Sequence, residues 1–315
     1  MASLLPNSHF NSFRNHLLNP TFIITSSSSS QIYKPKNNYF PLSIHCSIPS
    51  PPKSKEEAIQ QVKTCLSSTL QKPLNNPNLT AGKLKKQKQP RFRVEIPVID
   101  DSPDSLTKLA LQVFDEMQLK RKGSKVKFMI LWPNSKLTAA ANKVGFRSVE
   151  HVDICSLSNA SGLNSADVVV FLTPEASQME VMEAVSNSVY PKPVVMFNPR
   201  WSYDDEESIL ADFMKFLGSF EVVYSFMGLE VRGLLSKRNG VVFKCVKDGV
   251  LSGEKWSVLV EEEEEGALKV ITSFKTRPSI VEVENVLYNL MAINSPITKS
   301  AKFLKDLVSN VTGKK

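Results

Sequence analysis

The chain has 315 residues, 39 of them Lys or Arg and 31 Asp or Glu, giving a net charge of +8, and 42% are hydrophobic. That supports a folded body of one large domain or two small ones. Its longest wholly apolar runs are as short as Val168 to Leu172. A membrane-spanning helix of about 20 apolar residues is thereby excluded, and a soluble or peripheral protein is expected.

The charge is unevenly placed. Residues 1–46 carry three basic and no acidic residues, residues 47–93 carry ten basic against Glu56 and Glu57, and residues 94–315 carry 26 basic against 29 acidic. The excess sits in a tail and a linker, and the body is slightly acidic. A basic face for nucleic acid would show the reverse, so RNA binding is the least favoured reading.

In chain order, the first 55 residues contain no acid, and they include the run Ser26 to Ser30 and the junction Ile44-His45-Cys46-Ser47. This composition predicts a chloroplast transit peptide over residues 1–46 and a mature start near Ser47. The expected location is the stroma or the stromal face of the thylakoid. Residues 47–90 read as a short helix and a Lys-rich linker. Ser54 and Glu57 form a capping box, and Ile59, Val62, Leu66 and Leu70 make an apolar stripe that Pro73 should end.

Residues 91–315 read as an α/β domain with a C-terminal antiparallel extension, able to fold without residues 47–90. Phe92 to Ile96 alternates as a strand. Ser102-Pro103-Asp104 caps a helix carrying Leu106, Leu109, Val113 and Phe114. Strands are predicted at Lys127 to Trp132, Val149 to Ile154, Asp167 to Leu172 and Val194 to Phe197. Helices follow at Asn134-Ser135, Thr173-Pro174-Glu175 and Asp204 to Leu217. Short apolar strands alternating with amphipathic helices specify a mostly parallel sheet with helices on both faces. From Val222 four strands form an antiparallel β meander, with the acidic run Glu261 to Glu265 at a hairpin tip. C-terminal helices are expected at Ser279 to Met291 and Thr298 to Val311.

In an open α/β sheet, ligands bind beyond the carboxyl ends of the strands. Three such ends carry polar junctions, which would gather Asn134, Ser135, Lys136, Glu175, Asn198, Arg200 and Trp201 around one crevice. Helix N-termini there favour an anion that Lys136 and Arg200 would neutralise. The same residue types are also what helix caps require. No phosphate loop, dinucleotide fingerprint or nucleophile elbow is present, and no catalytic residue or cofactor is assigned. His151 is the only histidine of the body and reads as structural. No CxxC pair accompanies it, which argues against zinc. Cys65, Cys155 and Cys245 read as ordinary thiols, with a redox disulfide between two of them as the alternative.

The order Ile96-Pro97, Asp100-Asp101-Ser102-Pro103, Trp132-Pro133-Asn134, Asp167-Val168-Val169-Val170 and Asn198-Pro199-Arg200-Trp201 resembles an uncharacterised domain of plants and cyanobacteria. That family includes the chloroplast Low PSII Accumulation factor, and a similar domain is appended to a plastid adenylate kinase. The resemblance spans roughly residues 54–311. It implies a plastid accessory factor that binds a protein partner during photosystem II biogenesis; peripheral thylakoid contact is expected separately, from the basic linker and the lysines of the last helix. It supplies no catalytic residues, and the kinase phosphate loop has no counterpart here. An anion- or nucleotide-binding enzyme using the strand-end crevice is the alternative expectation.

Overall fold

The computed structural model describes residues 2–4, 50–75, 88–98, 100–146, 149–157, 162–201, 211–232, 237–251, 253–262 and 267–294. The transit-peptide junction at 44–47, the acids at 204–207, residues 263–265 of the acidic run and the final helix expected at 298–311 lie outside them.

Helix α1, Lys55–Asn75, starts where its cap predicts. The Glu57 amide donates to Ser54 Oγ at 3.1 Å, and the Glu57 carboxylate accepts from the Lys53 amide at 2.7 Å. It runs through Pro73 instead of ending there. Proline in a last turn removes only one backbone bond, and continuing the helix buries Leu74. Strand β2, Arg91–Glu95, follows; β1 is the short ladder Ala2–Leu4. Helix α2, Pro103–Ala110, has Ser102 as N-cap and widens into a π turn, Leu111–Asp115, that keeps Val113 and Phe114 buried. Then come β3, Phe128–Trp132, α3, Ser135–Val144, and β4, Val149–Asp153. Gly145 closes α3 in the left-handed region at φ 74°, where glycine has no Cβ to clash. Next are β5, Val168–Leu172, α4, Met179–Ser188, β6, Val194–Phe197, and the single turn α5, Met214–Leu217. The chain continues through β7, Glu221–Arg232, β8, Lys237–Cys245, β9, Trp256–Glu261, and β10, Leu268–Phe274, to α6, Ile280–Asn294.

Among the described residues ten strands form one sheet in the order β10-β9-β8-β7-β2-β6-β5-β3-β4, with β1 antiparallel to the far end of β7, and Lys120–Arg121 and Ser124–Lys125 make a separate two-stranded ladder. The six strands from β7 to β4 run parallel, and β8, β9 and β10 are antiparallel. The meander is therefore no appendage. Its first strand, β7, is the parallel neighbour of β2, so both halves share one sheet.

Alternate residues of each core strand serve opposite faces. On the first face Phe128, Ile130, Val168, Val170 and Phe197 pack with α1, α2 and α3. On the second, Met129, Leu131, Val169, Phe171 and Met196 pack with Met179, Met182 and Val185 of α4 and Phe216 and Leu217 of α5. Helix α6 covers the antiparallel wing on that second side through Val283 and Leu287, which meet Val242, Trp256 and Val258. On the first side, α1 lies inside the core: Val62, Cys65, Leu66 and Leu70 are all 0% exposed. A domain division at residue 91 would cut through that packing. Among the described residues, no helix is long and apolar enough to cross a membrane.

Candidate functional site

The strand order creates two places where neighbouring strands send their connections to opposite faces. β3 leads to α3 on the first face, while β5 beside it leads to α4 on the second. β2 leads to α2 on the first face, while β6 beside it leads to α5 on the second. The carboxyl ends of β3, β5 and β6 are consecutive in the sheet. Topology thus brings the three polar junctions side by side at the edge where α/β sheets bind ligands.

The side chains at those junctions divide into a buried set and an exposed set. Asn198 is 3% exposed, and its Oδ1 accepts the Ile96 amide at 2.8 Å while its backbone N–H donates to Val94 O at 2.9 Å. It thereby bridges the end of β6 to the end of β2. Gln178 does the equivalent between β5 and β3. It is buried, and its Nε2 donates to Pro133 O at 2.7 Å while its Oε1 accepts the Glu175 amide at 3.0 Å. Trp201 is 6% exposed and belongs to the second-face core, so its ring is taken up by packing.

Asn134, Ser135 and Lys136 are exposed. Asn134 Oδ1 accepts the Leu137 amide at 3.1 Å, so this residue is the α3 cap. Glu175 begins the turn before α4, and Arg200 is partly exposed between two carboxylates, Glu175 at 3.8 Å and Asp101 at 3.9 Å. Arg200 is thus already charge-compensated within the chain. Lys136 is exposed in the first turn of α3.

Strain concentrates here. Thr173, just past β5, has φ 46°, and Asn198, just past β6, has φ 49°. Left-handed backbone is tolerated by Asn and costly for a β-branched residue. Thr173 Oγ1 and Asn198 Nδ2 are also buried polar atoms without a hydrogen-bond partner. Such outliers persist only where the surroundings over-determine them. Here the Thr173 amide is fixed to Phe197 O at 2.7 Å and the Arg200 amide to Pro174 O at 2.9 Å. A cavity of about 100 Å³ lies further along the same sheet end, lined by Lys55, Ala58, Ile96, Val98, Asp100 and Phe226.

A family profile described as a domain of unknown function matches residues 52–285, from just before α1 into α6. The chain belongs to the DUF1995 family. The matched span includes α1, in agreement with its burial. No curated protein matches this DUF1995 chain. Among solved structures it is similar to the flagellar accessory protein FlaH from Methanocaldococcus jannaschii, at 11% identity over 58% of this chain and 88% of that one. The TM-score is 0.24, too low to carry any argument.

Three features of this DUF1995 chain escape sequence reading. Gln178 looks like the start of a helix, although the Glu175-x-x-Gln178 spacing of a capping box could have marked it. Arg93 and Glu95 look like the wet side of a strand. Both are buried, with Arg93 Nη2 2.7 Å from Glu95 Oε1, Ser225 Oγ donating to Glu95 Oε2 at 2.7 Å, and Arg277 Nη1 at 3.2 Å from Oε1. Cys65 and Cys245 are in contact, which no local pattern could reveal.

Proposed function

We propose that this protein is a plastid accessory factor that acts by binding another protein, an assembly intermediate of photosystem II. The observation that carries the protein-binding part is a side of α6 that stands exposed among the described residues. That helix is apolar around most of its circumference, and its described charges are Glu282 and Glu284. It buries Val283 and Leu287, yet leaves Val281 64% and Tyr288 73% exposed. These two residues are two turns apart on one stripe. Beside α6 runs β10, an edge strand whose outer side is unpaired among the described residues. A helix apolar on more than one side is stable when covered, and exposed apolar patches mark interaction surfaces. A hydrophobic segment flanked by basic residues would fit the stripe and the two glutamates. The acid-free leader supports the plastid location, and the family resemblance supports the photosystem partner.

The test is co-purification from thylakoids. Tagged wild-type chain should bring down a chlorophyll-binding core subunit, and the double variant V281E/Y288E should not, while unfolding at the wild-type temperature. Retention of the subunit by the double variant, or its absence from the wild type, would overturn the proposal.

A second reading, a small anion held at the strand ends, is favoured by one observation. Thr173 and Asn198 are strained neighbours with unused polar atoms, close to Arg200. It is weakened by the carboxylates that already face Arg200.

A further inference from the structure

Cys65 on α1 and Cys245 at the end of β8 are 180 residues apart in sequence, and their sulfurs are 3.4 Å apart. Both are free thiols in the first-face core, 0% and 2% exposed. We propose that this pair is a thiol–disulfide modification site whose oxidised form ties α1 covalently to β8. In the reduced form α1 is held by non-covalent contacts: packing, hydrogen bonds and the Lys63–Glu116 ion pair at 3.0 Å.

The geometry favours closure here. A disulfide has an S–S distance of about 2.05 Å, so the sulfurs need to approach by only about 1.4 Å. Their elements are already pinned together. In the turn after β8, a Cβ added at Gly249 would stand 2.5 Å from Ser68 O on α1. Tyr224 of β7 donates to Gln61 Oε1 on α1 at 3.2 Å. The two sites also differ in access. Cys65 is fully buried, and its contact with Cys245 and its burial push its thiol up, while Cys245 keeps 2% exposure two residues before Lys247, whose charge favours a thiolate. Cys245, the sulfur an oxidant reaches first, is therefore the attacking one.

The burial of both sulfurs selects a small, neutral oxidant, and hydrogen peroxide is the class named here. The Cys245 thiolate attacks one peroxide oxygen. The O–O bond breaks, hydroxide leaves and takes up a proton, and Cys245 becomes a sulfenic acid. The Cys65 sulfur then attacks the Cys245 sulfur, the S–O bond breaks, and hydroxide departs with the Cys65 proton as water. Two thiols and one peroxide thus give one disulfide and two waters. A dithiol reverses the reaction and is itself oxidised to its disulfide.

The experiment uses the purified full chain, treated with hydrogen peroxide, alkylated and mapped without reduction by mass spectrometry. The expected result is a linked Cys65–Cys245 peptide pair that dithiothreitol releases, with a Tm raised by several degrees. In Cys65→Ser, Cys245 should accumulate as sulfenic acid, trapped by dimedone, with no rise in Tm. The exposed Cys155 serves as the internal gauge of oxidant dose. If Cys65 and Cys245 remain alkylatable when Cys155 is fully oxidised, or if the mapped bond joins either of them to Cys155, the proposal fails. A Cys65–Cys245 bond without any change in Tm would overturn the tie to α1. The wild-type map decides the pairing even if the serine variant does not fold.

Discussion

Trp132 determines the state of His151. An indole N–H can only donate, and Trp132 Nε1 lies 3.0 Å from His151 Nδ1. That nitrogen therefore carries a lone pair, and the neutral ring holds its proton on Nε2. Phe146 packs edge-on against the imidazole at 4.1 Å between ring centres. Burial pulls the pKa down from 6.5 to about 4, with Asp115 offsetting only part of it. The folded pKa is thus below the unfolded one. Between pH 6.5 and 4 the unfolded chain binds a proton that the folded chain does not, so stability falls as pH drops through that window and is level above it. Allowing for the partial exposure of the ring, the loss should be about 1–2 kcal/mol. Urea unfolding of wild type and His151→Gln from pH 8 to 4 checks this, since glutamine still offers Trp132 an acceptor. The difference in stability between the two should change by that amount between pH 6.5 and 4. Parallel curves would show that His151 is not the titrating group.

At the scale of elements, α1 decides whether the sheet has a first face at all. Val62, Cys65, Leu66 and Leu70 are 0% exposed on it, and burying each such side chain is worth about 1.5–3 kcal/mol. Together they approach the whole stability of a domain, about 5–15 kcal/mol. A chain starting at Lys88 should therefore unfold over a broad, non-cooperative range and bind an apolar dye. Sharp unfolding at the full-length Tm would instead show that α1 is dispensable. The cap and stripe of α1 were legible because capping and helical period are local. Its docking was not, because the polar, Lys-rich stretch after it looks like a spacer and says nothing about where the helix returns. The same limit explains β2. Phe92-Arg93-Val94-Glu95 alternates like a strand with one wet face, and only the strand order reveals that it is central and covered on both sides. The three strand-end junctions were legible as a group, since the carboxyl-end rule needs only the alternation of strands and helices. The burial of Trp201 depends on packing in a cluster with residues from distant elements such as Met182 and Phe216, for which the local sequence carries no signal.

Across the whole molecule, one buried ion cluster joins the parallel and antiparallel halves. Glu95 comes from β2, Ser225 from β7 and Arg277 from the segment entering α6, while Arg277 also lies 5.5 Å from the centre of the Trp256 ring on β9. Burial alone would raise the Glu95 pKa. Arg277, then Arg93 and the Ser225 hydroxyl outweigh it and hold the carboxyl at about 2 against an ordinary 4.5. A carboxylate with a depressed folded pKa contributes stability above its unfolded value and loses it as pH falls, here from 4.5 towards 2, a window that begins just before the His151 window ends at 4. Substituting Glu95→Gln keeps the shape and an acceptor for Ser225, but leaves two guanidinium groups without their shared carboxylate. Removing one member of a buried charge cluster costs about 3–5 kcal/mol, so this variant should be destabilised by that amount at pH 7 and lose its own acid dependence below pH 4.5. Replacing Arg93, Glu95 and Arg277 together by Met, Leu and Met should recover much of the loss, because a packed apolar trio incurs no charge desolvation. Denaturant unfolding of the three proteins at pH 7 and pH 3 separates the cases. A Glu95→Gln variant as stable as wild type at pH 7 would show that the cluster does not join the two halves.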